Sequence, residues 1–390
     1  MTVAYPIARA WLSTGGTGAQ NYDEFADDAE ITEIIAANPS SALAVEMPHR
    51  APESVGKPFR DCLPDAVARL RAAKDDGHYA SAADVVVLYR ITAPDGARAY
   101  GLWCMIATDQ ISTSADEPGA VIRNEDVFIE KVRERVALAE ATKHLLSPVL
   151  LLQTAHGEAL HAALAESVAD AGPPAVADTD PAGRTHEIWA VGPGTTRDRL
   201  LALAGGGELV VADGNHRSLA AQTAGYPRFL AVVTTAESVA IQPYNRLVSD
   251  LPEPLDGLDR EPLAGPADVP ATGGRVHLFS REGAWSVTLP KLSGAGVVEN
   301  LDHALVERRL FAETLGLEPG DKRITYVGGD YPAAWLRGEV DAGRAELAVL
   351  IAPVTVDDFV AVNLARQKMP RKSTWFTPKA RAGLVVAELD

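Results

Sequence analysis

The stretch ELVVADGNHRSLAAQTAG (residues 208–225) joins two different sequence patterns. The apolar run Leu209–Ala212 is typical of a buried β-strand, and a helical pattern of small residues then ends at Gly225. The residues at the junction are Asp213, Gly214, Asn215, His216 and Arg217. The stretch therefore predicts a strand that turns directly into a helix, with an acid, an imidazole and a guanidinium at the turn.

The start of such a helix favours anions, because free backbone N–H groups and the positive end of the helix dipole point outward there. Gly214 lets a ligand approach the backbone, and the Arg217 guanidinium can bind two phosphate oxygens at once. With Asn215 and His216, these residues predict a phosphate- or nucleotide-binding site. Asp213 could hold a Mg²⁺ that bridges phosphates, or accept the proton of an attacking hydroxyl. In a purely structural alternative, Asp213 caps the helix and Arg217 forms a surface ion pair.

The composition limits the class of protein. The chain has 390 residues, and its 53 acidic against 36 basic residues give a net charge of −17. Nucleic acids and anionic membranes are bound mainly through Lys and Arg, so neither is an expected partner. Only two cysteines are present, no apolar run approaches the ~20 residues of a membrane span, and the N-terminus lacks a signal-peptide pattern. We expect a cytoplasmic protein.

Sheets and helices are predicted to alternate along the chain, which indicates an α+β or α/β class with a mixed sheet. The predicted elements are a helix over 24–37, a strand over 41–47, a hairpin of strands 84–92 and 98–107, a long helix that Asn124 caps, a strand over 148–154, a surface loop over 165–185 and a strand over 228–236.

Prolines and glycines in residues 249–273 mark the expected boundary between two subdomains. Residues 1–248 would form an N-terminal mixed α/β region that carries the Asp-Gly-Asn-His-Arg motif, and 274–390 a C-terminal α/β subdomain. One continuous domain is the alternative. In the C-terminal part, strands are predicted in the segments RVHLFS, ITYVGG and ELAVLIAPV.

Other basic and acidic residues are candidates for a site. Lys372, Ser373, Thr374 and Lys379 belong to a dense basic cluster in PRKSTWFTPK, which could offer a local positive pocket or be a solvated loop. Arg246 follows an apolar strand and could enter a pocket. Arg133 and Arg135 lie on the long helix and are predicted to form surface ion pairs.

Five stretches together resemble the domain of unknown function 1015 family. They occur in the family's order and reach the C-terminus: ANPSSALAVEMP, VIRNEDVFIEKVRERVALAEATKHLLSPVLLLQ, LVVADGNHRSLAAQ, IQPYNRLV and MPRKSTWFTPKARAGLVV. That family is distantly similar to the ParB/sulfiredoxin fold and to free serine kinases, which phosphorylate L-serine with a nucleotide and carry an Asp-Gly-His-His-Arg motif. The resemblance implies a ParB/sulfiredoxin-like core with large elaborations.

The resemblance also implies roles for individual residues. Asp213 would be catalytic, His216 and Arg217 would hold nucleotide phosphates, and Asp23 or Glu24 in QNYDEF would be the catalytic base. The cofactors would be ATP or ADP with Mg²⁺ near Asp213. Substrate-binding residues would be Glu125, Arg246, Lys372, Ser373 and Thr374.

Three positions depart from the family pattern, since Asn124, Asn215 and Asn245 replace histidines. An amide can donate and accept hydrogen bonds but does not titrate near neutral pH. The usual Pro-Pro before the Tyr-Asp pair is also absent in GAQNYDEF. Asn215 stands where sulfiredoxins need a cysteine nucleophile, which excludes their chemistry.

We therefore expect a nucleotide-dependent kinase that converts a free amino acid, foremost L-serine, to its phosphate ester. A catalytically silent nucleotide-binding regulator and a phosphatase or phosphotransferase that uses the same site are the alternatives. The expected partners are a nucleotide and a small amino acid, and a homodimer is left open.

Overall fold

The computed structural model describes residues 2–25, 27–112, 119–125, 127, 129–251, 255, 258–318 and 320–389. The chain divides into two compact units. The first comprises Met1–Val239 together with Pro378–Asp390, and the second comprises Ala240–Thr377. The N-terminal and C-terminal segments of the chain thus belong to the same unit.

Strands and helices are numbered here in chain order. The strands are β1 (Ala4–Tyr5), β2 (Ile7–Ser13), β3 (Tyr79–Thr92), β4 (Arg98–Ala107), β5 (Val121–Ile122), β6 (His144–Leu145), β7 (Val149–Gln153), β8 (Val176–Thr179), β9 (Thr185–Val191), β10 (Leu209–Asp213), β11 (Arg228–Thr234), β12 (Ala240–Gln242), β13 (Asn245–Val248), β14 (Arg260–Pro262), β15 (Val276–Ser280), β16 (Gly283–Val287), β17 (Ile324–Val327), β18 (Leu347–Ile351), β19 (Trp375–Thr377) and β20 (Val385–Glu388). The α-helices are α1 (Asp28–Ala37), α2 (Ala42–Glu46), α3 (Leu63–Asp75), α4 (Ile129–Thr142), α5 (Gly157–Asp170), α6 (Thr195–Ala204), α7 (Asn215–Thr223), α8 (Asp302–Leu305), α9 (Ala333–Asp341) and α10 (Val356–Leu364).

The first unit is built on one large mixed sheet with the strand order β5-β10-β7-β11-β4-β3-β2-β20-β6. Strand β10 runs parallel to β5 and antiparallel to β7, and β11 runs parallel to β7 and antiparallel to β4. The mixed-sheet α+β class expected from the sequence is confirmed. Strand β20 pairs with β2, so the last residues of the chain return to this sheet.

The predicted hairpin is confirmed as the β3–β4 pair, with Leu88 opposite Leu102. Leu88, Leu102 and Cys104 lie in a buried cluster to which α5 contributes Leu160 and Leu164. Successive side chains of a strand point to opposite faces, so this cluster covers one face of these strands. The strand predicted over 148–154 and that over 228–236 are confirmed as β7 and β11.

The strand predicted over 41–47 is wrong, because these residues form the short helix α2. The Ser41 hydroxyl accepts a hydrogen bond from the backbone N–H of Leu43 and so caps the helix. All five residues of α2 are buried. A short apolar run buried on all sides carries no periodicity that separates a strand from a helix.

Three other predicted boundaries also need correction. The first helix begins at Asp28 rather than at residue 24, and residue 26 lies outside the described residues. The long helix α4 begins at Ile129, so Asn124 is not its cap. The segment 165–185 is not a loop throughout, because it holds the end of α5 and all of β8.

The second unit has a six-stranded sheet with the order β14-β16-β15-β18-β13-β17, beside the β12–β19 pair. The three strands predicted in this part are confirmed as β15, β17 and β18. Helix α8 continues as a π-helix over Val306–Thr314, and its residues Leu310 and Phe311 pack on the sheet in a buried cluster. The subdomain boundary at 249–273 stays a prediction. Among the described residues, no helix combines the length and apolar character that crossing a membrane requires.

Candidate active site

The predicted junction of strand and helix is present, since β10 ends at Asp213 and α7 begins at Asn215. Gly214 connects them with a φ of +97°, in the left-handed region that favours glycine. A Cβ built on Gly214 would lie 3.1 Å from Arg217 Nε and 3.2 Å from the Val149 Cα. Glycine is therefore required here both by the backbone angle and by the close approach of Arg217.

Asp213 is held between two cations. The Lys379 ammonium donates to Asp213 Oδ1 at 2.9 Å, and the Arg217 guanidinium donates to Oδ2. Burial opposes ionisation of Asp213, but Lys379 and Arg217 outweigh it and hold the pKa of this carboxyl below its usual value. The pKa values of both Lys379 and Arg217 are raised in turn, chiefly by Asp213 and against the effect of burial. All three groups are therefore charged at neutral pH.

This arrangement contradicts the purely structural alternative for the motif. Within the described part of the chain, no side chain caps α7, so Asp213 is not a helix cap. The ion pair is also not at the surface, because only 8% of the Arg217 side chain and 15% of the Asp213 side chain are exposed. A buried pair is costly to desolvate, which argues that these charges serve more than stability.

Glu24 lies in a turn that brings a second acid to this cluster. Its Oε1 accepts hydrogen bonds from the backbone N–H of Asn21 at 3.0 Å and from the Asn21 side-chain amide at 2.6 Å. Burial raises the pKa of the Glu24 carboxyl to about 7, with Lys379 opposing the rise and Asp213 adding to it. Glu24 can therefore lose or accept a proton near neutral pH.

Asp23, the other predicted base, faces the motif as well. Its Oδ1 lies 4.0 Å from Arg217 Nη2, and Arg217 Nη1 donates to the Asn21 side-chain oxygen at 3.1 Å. The structure thus brings Asp23, Glu24, Asp213 and Arg217 into one cluster.

The residues next to Lys379 fix its position in the same cluster. The side-chain amide of Asn21 donates to the Ala380 carbonyl at 3.2 Å, and Ala19 and Ala382 form an antiparallel bridge. The segment that carries Glu24 is therefore hydrogen-bonded to the segment that carries Lys379. This pairing places Lys379 beside a motif that lies 166 residues earlier in the chain.

Asn215 and Asn124 form a reciprocal pair. The Asn215 amide donates to Asn124 Oδ1 at 2.5 Å, and the Asn124 backbone N–H donates to Asn215 Oδ1 at 3.3 Å. Both residues are buried, and the parallel pairing of β5 with β10 brings their segments together. Two of the three departures from the family pattern are thus in direct contact. Glu125, predicted to bind substrate, follows Asn124 in the chain and is half-buried.

The sequence also predicts a Mg²⁺ ion beside the Asp213 carboxylate. Both carboxylate oxygens of Asp213 already accept hydrogen bonds from cationic groups, and a dication would lie within a few ångströms of those two charges. No group of three or more His, Cys, Asp or Glu residues in the described ranges could hold a metal ion. In this arrangement the residues do not fit a protein-held Mg²⁺.

His216, predicted to hold phosphate, is buried in the first turn of α7. The other four predicted residues, Arg246, Lys372, Ser373 and Thr374, belong to the second unit. Arg246 is fully buried, donates to Glu307 Oε1 at 3.1 Å and has its guanidinium carbon 4.4 Å from the centre of the Tyr326 ring. The Lys372 ammonium lies 5.4 Å from the centre of the Tyr244 ring. Ser373 is buried and Thr374 is half-buried, so this segment is not a fully solvated loop.

A family model described as "Protein of unknown function (DUF1015)" matches residues 17–304. The chain belongs to this family. The match includes the Glu24 turn, the Asn124 segment and the Asp213 motif of the DUF1015 protein, whereas Lys379 and Lys372–Thr374 follow it. No curated protein matches the sequence significantly.

Solved structures that resemble the DUF1015 protein do so at low identity. A free serine kinase in complex with AMP is 12% identical, with a TM-score of 0.39, and 70% of this chain and 87% of that chain are covered. A conserved hypothetical protein from Pyrococcus furiosus is 13% identical, with a TM-score of 0.39 and coverage of 72% and 95%. SbnI with a C-terminal truncation from Staphylococcus aureus is 11% identical, with a TM-score of 0.39 and coverage of 72% and 87%.

Sequence reasoning did not place Lys379 at the motif. It appeared only as a member of the basic cluster in PRKSTWFTPK, although Lys372 and Lys379 belong to different units of the DUF1015 protein. The available signal was a lysine directly after Pro378, just before the apolar run that forms β20. The pairing of β20 with β2 cannot be read from the sequence, so this signal does not identify Asp213 as the partner of Lys379.

Proposed function

We propose that this DUF1015 protein is a nucleotide-dependent kinase that phosphorylates the hydroxyl of a free amino acid, with L-serine as the leading substrate. The observation that carries the proposal is the pairing of a proton acceptor, Glu24, with two buried cations around Asp213 at the start of α7. The substrate class comes from the resemblance of the motif to that of free serine kinases. Phosphoryl transfer depends on positioning and on charge neutralisation, and these residue types supply both.

In the proposed reaction, the substrate hydroxyl oxygen attacks the terminal phosphorus of the nucleotide. The bond between that phosphorus and the bridging oxygen of the leaving nucleotide breaks, and the hydroxyl proton passes to the Glu24 carboxylate. A base with a pKa of about 7 is ionised in a large fraction of molecules at neutral pH, so it can accept that proton. Lys379 and Arg217 would stabilise the negative charge of the phosphoryl oxygens, and Asp213 would hold both cations in place.

Nucleotide phosphates are proposed to lie on the backbone of Gly214 and Asn215 and on the side chains of His216 and Arg217. The first turn of α7 has no side-chain cap within the described residues, so its N–H groups suit an anion. Glu125 of the first unit stays a proposed substrate-binding residue, whereas the substrate-binding roles predicted for Arg246, Lys372, Ser373 and Thr374 of the second unit stay predictions. No step is assigned to Mg²⁺, because Asp213 is already bound to two cations.

The test is a phosphorus NMR assay of the purified protein with ATP or ADP, with and without Mg²⁺, and with L-serine, L-threonine or L-homoserine as acceptor. The expected result is a new phosphomonoester signal with one acceptor, lost in Glu24→Gln and unchanged in Glu33→Gln. Glu33 is an exposed acid on α1 and serves as the matched control. Absence of the signal with every acceptor, in a protein that binds nucleotide, would contradict the kinase.

A nucleotide-binding regulator without turnover is the second candidate. The observations that favour it are the amide pair Asn124–Asn215, which cannot transfer a proton, and the engagement of both Asp213 oxygens by cations. Calorimetric nucleotide binding that is equal in wild type and Glu24→Gln, with no turnover in either, would support it. Release of phosphate from O-phosphoserine without nucleotide consumption would instead indicate a phosphatase.

A further inference from the structure

Glu46, at the end of α2, is a buried acid that the proposed reaction does not use. Only 3% of Glu46 is exposed, and its Oε1 accepts a hydrogen bond from the Ser147 hydroxyl at 2.6 Å. Its Oε2 is buried and has no hydrogen-bond partner among the described residues. Burial of a carboxylate oxygen without a hydrogen-bond donor costs free energy, so a donor is expected beside this atom.

Arg135 supplies the opposite charge. The sequence predicted a surface ion pair for this residue, and this is wrong, because Arg135 is only 7% exposed and packs with its guanidinium carbon 4.1 Å from the centre of the Tyr22 ring. Its Nη2 donates to the Glu46 carbonyl oxygen at 3.1 Å. Within the described ranges, Nε and Nη1 of Arg135 have no hydrogen-bond partner.

This pair is linked to the motif through two adjacent residues. Ser147 donates to Glu46, and the carbonyl oxygen of the next residue, Pro148, accepts a hydrogen bond from Arg217 Nη1. Arg217 Nε is buried and has no partner in the described part of the chain. The residue that donates to Glu46 therefore directly precedes the residue whose carbonyl oxygen binds Arg217.

A cavity of about 50 Å³ lies at the same place, and Glu46, Arg135, Ser147 and Arg217 are among the residues that line it. The rest of its lining is mainly apolar and comes from α4, from the segment between β6 and β7, from α7 and from β11. A buried water needs about 10–15 Å³ of such volume and two to four polar partners. The cavity is therefore too small for an amino acid or a nucleotide but large enough for a few water molecules.

We propose that this cavity binds ordered water that joins Glu46 Oε2 to the free guanidinium N–H groups of Arg135 and to Arg217 Nε, and that Glu46 is thereby a positioning residue for Arg217. The water completes the hydrogen bonds of buried donors and an acceptor that have no partner among the described residues. Pro148 then binds Nη1 of Arg217 and water binds its Nε, while its Nη2 binds Asp213. A role of this water in phosphate binding depends on the proposed function. The binding of water between Glu46, Arg135 and Arg217 does not depend on it.

The test uses the ligand-free full chain, so it is independent of any kinase activity. The Arg217 Nε–H signal is identified by nitrogen-15 arginine NMR as the one missing in Arg217→Lys. The expected result is a slowly exchanging signal in the wild type that is lost to fast exchange in Glu46→Gln. Ser147→Ala keeps the Glu46 charge and should speed exchange about tenfold, as expected for the loss of one hydrogen bond of about 1.4 kcal/mol.

Glu130→Gln, which removes an exposed acid paired with Arg133 on α4, is the control and should leave the Arg217 signal unchanged. A high-resolution crystal structure of the wild type should show water within hydrogen-bond distance of Glu46 Oε2. A dry cavity, or an Arg217 signal unchanged in both Glu46→Gln and Ser147→Ala, would overturn the inference. If Glu46→Gln does not fold, Ser147→Ala and the wild-type structure still decide it.

Discussion

Two buried carboxyl groups in one cluster have pKa values that are shifted in opposite directions. Asp213, at the end of β10, lies between Lys379 and Arg217, and its pKa is lowered. Glu24, in the turn after β2, receives its hydrogen bonds from the neutral Asn21, and burial raises its pKa to about 7. The comparison teaches that close cationic partners decide whether a buried acid stays ionised or can take up a proton near neutral pH.

The two acids therefore respond to pH with opposite signs. Asp213 contributes stability above its unfolded pKa of about 3.9, and this contribution is lost as the pH falls through the lower folded value. Glu24 is protonated in the folded state at low pH, and stability is lost as the pH rises from about 4.3 to about 7. The proposed function uses both states, with Asp213 as the fixed charge and Glu24 as the proposed proton acceptor.

The largest effect should come from removing the proton acceptor. Glu24→Gln keeps the shape of the side chain but cannot accept the hydroxyl proton, so turnover should fall by about 10²–10⁴-fold. Nucleotide affinity should change little, which calorimetry would show. Turnover that survives in Glu24→Gln would transfer the base role to Asp23 and break the comparison.

The next effect should come from removing the fixed charge. Asp213→Asn leaves Arg217 and Lys379 buried without their anion, and we expect a loss of about 3–5 kcal/mol in the free energy of unfolding. Denaturant unfolding measures this loss. Asp198→Asn removes an exposed acid paired with Arg197 and should cost less than about 0.5 kcal/mol. Equal stability of the two variants would show that Asp213 is not the anion that these cations require.

A smaller effect is expected at the amide pair that ties the Asn124 segment to α7. Asn124→Ala and Asn215→Ala each leave a buried amide without its partner, at a cost of about 1–3 kcal/mol in unfolding free energy. The double variant should cost less than the sum of the two single variants, since both remove one interaction. Strict additivity in this double-mutant cycle would contradict the direct contact.

The smallest expected effect is a difference in stability between alanine variants at two glycines whose φ lies in the left-handed region. Gly214→Ala and Gly225→Ala both meet a backbone cost of about 1–2 kcal/mol. A Cβ at Gly225 meets nothing within 4 Å, whereas one at Gly214 crowds Arg217 and Val149. Thermal unfolding should therefore show the larger loss for Gly214→Ala, and equal losses would argue against the close approach of Arg217.

The sequence was sufficient for the parts of the fold that depend on neighbouring residues. The junction at Gly214 and the β3–β4 hairpin follow local patterns of apolar residues and turn residues, and both were predicted. The acids of the 21–24 turn were predicted through the family resemblance, but not which of them is the base, because burial decides the pKa of Glu24. Burial depends on packing that no local pattern records.

What the sequence did not predict depends on contacts between distant segments. Lys379 reaches Asp213 only because the chain after Pro378 returns to the first unit and β20 pairs with β2. Arg135 was predicted to lie at the surface because its neighbours on α4 are charged, whereas it is buried and contacts the Glu46 carbonyl oxygen and the Tyr22 ring. The helix α2 was predicted as a strand, because its five residues are all buried and show no repeat of apolar and polar positions that would indicate a helix.

Carbon-13 NMR titration of the side-chain carboxyl groups tests the central claim most directly. The signals of Glu24 and Asp213 are assigned by their absence in Glu24→Gln and Asp213→Asn. The account predicts that Glu24 titrates with a pKa of about 7 and that Asp213 stays ionised below its usual value of about 3.9. A Glu24 signal that titrates near the ordinary value of about 4.3, together with Asp213, would contradict the division of roles between the two acids.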